Sequence, residues 1–161
     1  MALRKPLVIV AGQIEQIQSG DTLDAVIVEQ EIITLTNDES ADATVIGMPV
    51  YIDADDGCKQ AKADAVGTAK PIALCKSASV TASETGSFIT SGILSATTTQ
   101  WDAVAGTTGG LTAGTTYFLS AATKGLLTAT APSTVGQFVI EIGIAISTTE
   151  LKVAIKPSIL L

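Results

Sequence analysis

The stretch Gln137–Lys156 reads QFVIEIGIAISTTELKVAIK and decides the fold class. Apolar residues occupy every second position from Leu151 to Ile155, and a period of two is typical of a half-buried β-strand. The run before it, Gln137–Ser147, is also strand-like because it is rich in Ile and Val. We therefore expect two antiparallel strands, Gln137–Ser147 and Leu151–Ile155, that form a β-hairpin.

Similar short segments recur along the chain, with Gly, Thr and Pro between them, at a spacing of about eight to twelve residues. Only Ala61–Ala69 has a composition that suits a helix, and its glycine limits even that segment. The pattern at Gln13–Gln18 leaves two alternatives open, one helical turn or a twisted strand. Short strands at this spacing predict an all-β fold, with a β-sandwich or barrel-like modules. The other strand-like segments are Pro6–Ala11, Ala25–Val28, Ile32–Leu35, Val45–Ile52, Pro71–Cys75, Ser87–Ile89, Ile93–Leu94 and Thr116–Leu119.

Two parts of the chain are similar to each other, which we interpret as an internal duplication. Gly47–Ile52 and Gly114–Leu119 each place a tyrosine early in a strand, and a turn glycine follows each of them, Gly57 or Gly125. An apolar strand and a further short strand then complete each unit. The predicted parts are an extended N-terminal arm with the first strands (residues 1–43), a first β-module (residues 44–100) and a second β-module (residues 101–161).

Charge and composition limit the possible partners. The 161 residues include 16 acidic and 9 basic side chains, for a formal net charge of −7. Nucleic-acid binding needs clustered Lys and Arg, so we expect no nucleic-acid partner. Charged residues make up only 16% of the chain, and a surface with few charges is more easily desolvated against neighbouring subunits.

Targeting signals are not evident in the sequence. Met1–Lys5 is basic, but the apolar run Leu7–Ala11 is too short for the hydrophobic region of a signal peptide. No run reaches the roughly 18 apolar residues that cross a bilayer. We expect a protein made in a cytoplasm, without a membrane partner, in which Cys58 and Cys75 are buried thiols rather than a disulfide.

The sequence offers little for catalysis or metal binding. It contains no histidine, which excludes His-based acid/base schemes, and two cysteines do not make a four-cysteine metal site. Asp53–Gly57 looks like a calcium loop, but its fifth position is glycine where an EF-hand needs an oxygen ligand, so we interpret it as an acidic turn. The glycine-rich run Gly106–Gly114 lacks the lysine of a phosphate-binding loop. We therefore expect a non-enzymatic protein without catalytic residues, metal or cofactor.

Trp101 is the only tryptophan, and two interpretations of it stay open. It fits a core position between the two modules, and it also fits an anchor in an interface with another molecule. Tyr117 is the second candidate for an interface anchor.

Three segments carry a resemblance to a known class of proteins. Arg4–Leu23 reads RKPLVIVAGQIEQIQSGDTL, Leu111–Ser120 reads LTAGTTYFLS, and GLLT follows at Gly125–Thr128. With Gln137–Pro157 they cover about a third of the chain. These segments resemble the structural proteins of tailed-bacteriophage virions, a group that includes head decoration (cement) proteins and tail-fibre or head-fibre proteins.

The resemblance implies a function on the exterior of the virion capsid, after assembly in the host cytoplasm. The chain is short for a fibre, which favours a decoration protein that binds the outer surface of the head. Such proteins commonly form homotrimers and stabilise contacts between major capsid protein subunits. The alternative is a tail-fibre, head-fibre or baseplate component that binds a host-surface ligand near Trp101, Tyr117 or Gly106–Gly114.

The N-terminal arm is the part that we expect to contact the capsid. An extended apolar run such as Leu7–Val10 can add a strand to an exposed sheet edge of the shell. The residues predicted to make this contact are Arg4, Lys5, Leu7, Val8, Ile9, Val10, Ile14 and Ile17.

Overall fold

The computed structural model describes residues 7–10, 13–16 and 30–161. Within these residues the protein is predominantly β, with large multi-strand sheets, which confirms the predicted all-β class. The strand predicted at Ala25–Val28 lies outside the described residues. The strands are β1 (Leu7–Val10), β2 (Gln13–Gln16), β3 (Glu31–Asn37), β4 (Thr44–Val45), β5 (Pro49–Ala54), β6 (Gly57–Gln60), β7 (Ala73–Cys75), β8 (Ser79–Val80), β9 (Thr85–Ser95), β10 (Thr116–Leu119), β11 (Leu127–Thr128), β12 (Phe138–Val139), β13 (Glu141–Ala145), β14 (Glu150–Ala154) and β15 (Ile159–Leu160), and the helix is α1 (Thr98–Ala105).

Five strands close into a small barrel, which we call the barrel group. In this ring β9 pairs with β3, β3 with β6, β6 with β5, β5 with β7, and β7 returns to β9. The β3–β6 pair is parallel and the other pairs are antiparallel. These strands and β8 contribute the side chains of a separate, mainly aliphatic cluster, whose largest member is Phe88; it consists of Leu35, Val50, Cys58, Ala73, Cys75, Val80 and Phe88.

Four further strands extend the sheet from the second half of β9, in the order β14, β13, β10 and β11, and we call them the open group. The hairpin predicted at the end of the chain is confirmed, because β13 pairs with β14 in antiparallel register, with Gly143 opposite Val153 and Ala145 opposite Leu151. The alternating burial of β14 is that of a strand with one buried face. The larger core cluster of the molecule includes the buried side chains of these four strands.

The two groups share a pairing order. In the barrel group, leaving out β3, the order is β6–β5–β7–β9, and in the open group it is β11–β10–β13–β14. Val50 lies opposite Ala73 in the first order, and Tyr117 lies opposite Gly143 at the corresponding place in the second. The final strands of the two orders, β9 and β14, pair with each other. This arrangement agrees with an internal duplication, whereas the module boundaries at 43/44 and 100/101 stay predictions.

The helix does not lie where the composition placed it. Residues 61–69 form turns, because Ala61 donates its N–H to Pro49 O (2.9 Å) and Ala63 donates to Ser120 O (2.9 Å), which ties the segment to neighbouring strands. Helix α1 lies at Thr98–Ala105 instead. A capping box starts it, in which the Gln100 N–H donates to Thr97 Oγ1 (3.3 Å) and the Thr97 N–H donates to Gln100 Oε1 (2.9 Å).

Candidate functional site

The part of the N-terminal arm that the structure describes forms a β-hairpin. Leu7–Val10 is a strand, as expected, and Gln13–Gln16 is the strand rather than the helical turn of the two alternatives. The two strands pair in antiparallel register, with Ile9 opposite Ile14, and together they form a two-stranded sheet. Leu7, Val8, Ile9, Val10 and Ile14 therefore share one hairpin, whereas Arg4, Lys5 and Ile17 lie outside the described residues.

Trp101 is a core residue and is not available as a surface anchor. Its side chain is 0% exposed, and its indole Nε1–H donates to Thr149 O (3.0 Å) in the turn between β13 and β14. The ring also lies against Gly47, where an added Cβ would stand 2.8 Å from Cζ3. Because Gly47 precedes β5 and Thr149 precedes β14, the indole joins the barrel group to the open group. Of the two interpretations of Trp101, the structure shows the core position.

Tyr117 is also buried, which corrects its prediction as an interface anchor. Its side chain is 0% exposed within the larger core cluster. The phenol oxygen accepts a hydrogen bond from the Thr112 N–H at 3.0 Å, so the polar end of the ring is satisfied within the chain. A host-surface ligand would have no access to either aromatic ring in this conformation.

The glycine-rich loop is organised by a carboxylate of the protein itself. Asp102 accepts hydrogen bonds from the N–H of Gly110 (2.8 Å), the N–H of Gly109 (3.0 Å) and the hydroxyl of Thr107 (2.9 Å). The Gly110 amide is the main cause of a lowered pKa at Asp102, with the Gly109 amide and the Thr107 hydroxyl acting in the same direction. A phosphate-binding loop would use such amides for its ligand, whereas here they bind Asp102.

The acidic segment Asp53–Gly57 contains the turn between β5 and β6, at Asp55 and Asp56, as expected. Asp56 adopts a left-handed conformation with φ 55°, which aspartate tolerates in tight turns. The carboxylate of Asp53 pairs with Lys59 across this turn. Among the residues that the structure describes, no three His, Cys, Asp or Glu side chains come together as a metal-ligand group.

Cys58 and Cys75 are free thiols and both are buried, which confirms the interpretation made from the sequence. Burial raises the pKa of each thiol to about 12, because the thiolate would be poorly solvated in the aliphatic cluster. A nucleophilic thiol needs a lowered pKa and access to solvent. Neither cysteine meets these requirements.

A charged contact links the open group to the loop before β4. Lys124 Nζ lies 2.6 Å from Glu39 Oε2 and 2.9 Å from Asp42 Oδ2. The hydrogen bond to Glu39 is the main cause of a raised pKa at Lys124. The other Glu39 oxygen accepts the N–H of Gln60 at 3.0 Å, so Glu39 connects this loop to the barrel group as well.

Comparisons with known proteins do not identify a relative. No family model matches the chain, and no curated protein or solved structure matches it. Within the described part of the chain, no helix is both long and apolar enough to cross a membrane.

Proposed function

We propose that this protein decorates the outer surface of a tailed-bacteriophage head and stabilises contacts between major capsid protein subunits. One observation carries the proposal. Leu7–Val10 pairs in a separate two-stranded sheet, whereas the nine-stranded sheet of the molecule begins at Glu31. A two-stranded hairpin is only marginally stable in water. It gains stability when its apolar strand packs on, or pairs with, the surface of another protein.

The hairpin is the attachment element in this proposal, and residues 30–161 are the body that it attaches. The apolar run LVIV supplies backbone groups for strand pairing and aliphatic side chains for burial. Three copies form a homotrimer, so that three hairpins bind neighbouring capsid subunits at the same time. Simultaneous binding raises the overall affinity well above that of one hairpin.

The experiment measures binding to expanded, undecorated heads assembled from the major capsid protein of the same phage. The full-length chain is compared with a chain that lacks residues 1–20 and with a full-length variant, Val8→Asp with Val10→Asp. The truncation deletes the apolar strand, and the double variant places two charges on it. We expect either change to weaken co-sedimentation with heads by about 100-fold, the range that loss of multivalent contact gives. Lys152→Glu, a charge change on an exposed residue of the body, is the matched control and is expected to bind normally.

Two results would contradict the proposal in different ways. Equal binding by the truncated chain would remove the hairpin from the mechanism. Failure of the full-length chain to bind heads, with labelling of tail fibres or of host cells in electron micrographs, would favour the fibre or baseplate alternative. The homotrimer is checked separately by sedimentation, which should give three times the chain mass of 16.3 kDa.

A further inference from the structure

A surface groove lies where two Lys-Pro dipeptides, distant in the sequence, come together. Lys70-Pro71 precedes β7 and Lys156-Pro157 follows β14. The groove between them has a volume of about 320 Å³. Its lining combines two lysines with mainly apolar or small residues: Ala69, Lys70, Pro71, Ile72, Ile140, Lys156, Pro157 and Ser158.

The backbone on both sides of the groove is fixed by hydrogen bonds. The Ile72 N–H donates to Val50 O at 2.9 Å, and the Lys156 N–H donates to Glu141 O at 2.9 Å. The ammonium of Lys70 lies over the ring of Tyr51, 5.5 Å from its centroid. Hydrogen bonds to neighbouring strands therefore hold the backbone of both walls in place.

The groove brings two lysines together on an acidic protein. The chain has a net charge of −7, and Lys59, Lys62 and Lys124 each pair with a carboxylate of the chain. Lys70 and Lys156, like Lys76 and Lys152, have no carboxylate within ion-pair distance among residues 30–161, and of these four lysines Lys70 and Lys156 are the two that line this groove. Two such cations beside apolar side chains are complementary to a ligand that is both acidic and aliphatic.

The groove continues into an edge strand. Ser158 lines the groove and leads directly into β15, which pairs with β12 through Val139 opposite Ile159 and Phe138 opposite Leu160. Ile159 is 63% exposed and Leu160 is 61% exposed, and adjacent residues of a strand face opposite sides. Both faces of β15 therefore expose an apolar side chain. Among the described strands, only β12 pairs with it.

We propose that this groove and the outer edge of β15 bind an extended segment of a partner protein in which acidic and aliphatic residues alternate. The segment adds a strand to β15 through backbone hydrogen bonds. Its carboxylates pair with Lys70 and Lys156, and its aliphatic side chains cover Ile159 or Leu160. This surface is separate from the N-terminal hairpin, and its test does not depend on binding to a capsid.

The test uses NMR of the isotope-labelled, full-length protein with a capped octapeptide of alternating glutamate and valine. We expect saturable amide shifts confined to Ile72, residues 137–139 and residues 156–161. The double variant Lys70→Glu with Lys156→Glu should bind at least about tenfold more weakly, and added salt should weaken binding of the unchanged protein. Lys152→Glu is the matched control, because Lys152 is exposed but does not line the groove, and it should bind within about twofold of the unchanged protein.

Several outcomes would overturn the proposal. An alternating lysine–valine peptide that produces the same shifts would show that charge does not select the ligand. Unchanged binding by the double variant, with a spectrum that shows a native fold, would remove the two lysines from the site. Absence of saturable shifts would remove the site altogether. Self-association that the double variant abolishes would assign the groove to a second copy of this chain.

Discussion

The barrel group and the open group share a pairing order, yet only one of them closes. The barrel group gains a fifth strand, β3, which pairs in parallel with β6 and in antiparallel with β9. Closure confines its interior, and Phe88 is the largest residue of its cluster. The open group instead packs its buried face in the larger cluster, where Trp101 and Tyr117 are fully buried. One strand arrangement therefore supports two kinds of core, and the additional strand determines which.

Removal of Trp101 should have the largest effect, because its indole contacts both groups. We expect Trp101→Ala to lower the free energy of unfolding by about 3–5 kcal/mol, the usual cost of deleting a buried aromatic side chain. Urea unfolding followed by circular dichroism measures it. Trp101→Phe, which keeps a ring but loses the hydrogen bond to Thr149, should cost less. Two separate transitions in the alanine variant would show that the groups unfold independently.

Gly143 and Ala73 occupy corresponding positions in the two groups, and substitutions there should change stability by different amounts. An added Cβ at Gly143 would lie 2.2 Å from the backbone oxygen of Lys152. We expect Gly143→Ala to cost about 2 kcal/mol or more through overpacking of the β13–β14 ladder. Ala73→Gly, the reverse change at the corresponding position of the barrel group, should cost only about 1 kcal/mol. Chemical denaturation compares the two, and equal costs would contradict the difference in packing.

The two tyrosines that mark the repeat should also differ. Tyr117→Phe removes the acceptor of the Thr112 N–H, and we expect a loss of about 1 kcal/mol in unfolding free energy. Tyr51→Phe keeps the ring under Lys70 and should change stability by less than about 0.5 kcal/mol. Thermal unfolding of both variants side by side measures this difference. A larger loss of stability from Tyr51→Phe than from Tyr117→Phe would contradict the greater contribution expected of the Tyr117 hydroxyl.

The smallest effect should appear as a pH dependence of stability that arises at Asp102, where helix α1 meets the glycine-rich loop. Hydrogen bonds from Gly110, Gly109 and Thr107 lower the pKa of Asp102 below its ordinary 3.8. A carboxyl group with a lowered folded-state pKa contributes stability above the unfolded-state pKa, and this contribution is lost as pH falls through the folded-state pKa. The unfolding midpoints of the native chain and Asp102→Asn should therefore converge as pH falls below about 4. A constant difference down to the lowest pH would contradict the carboxylate's role.

Local sequence patterns predicted most of the strands but not the strand pairs that close the barrel group. The alternation at Leu151–Ile155 depends on neighbouring residues, so the hairpin could be found from sequence. The barrel depends on pairs such as Thr36 opposite Gly57 and Leu74 opposite Ile89, which no local pattern specifies. Gly92 lies between the predicted short runs Ser87–Ile89 and Ile93–Leu94, which the structure joins in one long strand, β9.

The helix and the groove were missed for different reasons. Helix α1 had a local signal, the Thr97–Gln100 capping box followed by Gly106, but the alanine-rich segment Ala61–Ala69 had the stronger composition. The groove had only the repeated Lys-Pro dipeptide as a signal. Lys70 and Lys156 come together only through the fold, because β7 and β14 belong to different groups. Trp101 was open to two interpretations because sequence alone does not distinguish a buried indole from an exposed one.

The long strand β9 has a consequence for dividing the molecule. Its first half, at Ile89 and Phe88, pairs with β3 and β7, and its second half, Ser91–Ser95, pairs with β14. A backbone cut after Ala96, before helix α1 begins, would leave each fragment with an unpaired strand edge, β9 in one fragment and β14 in the other. The two fragments, expressed separately, should reassemble on mixing because β9 and β14 can pair again, as the halves of a split reporter protein do.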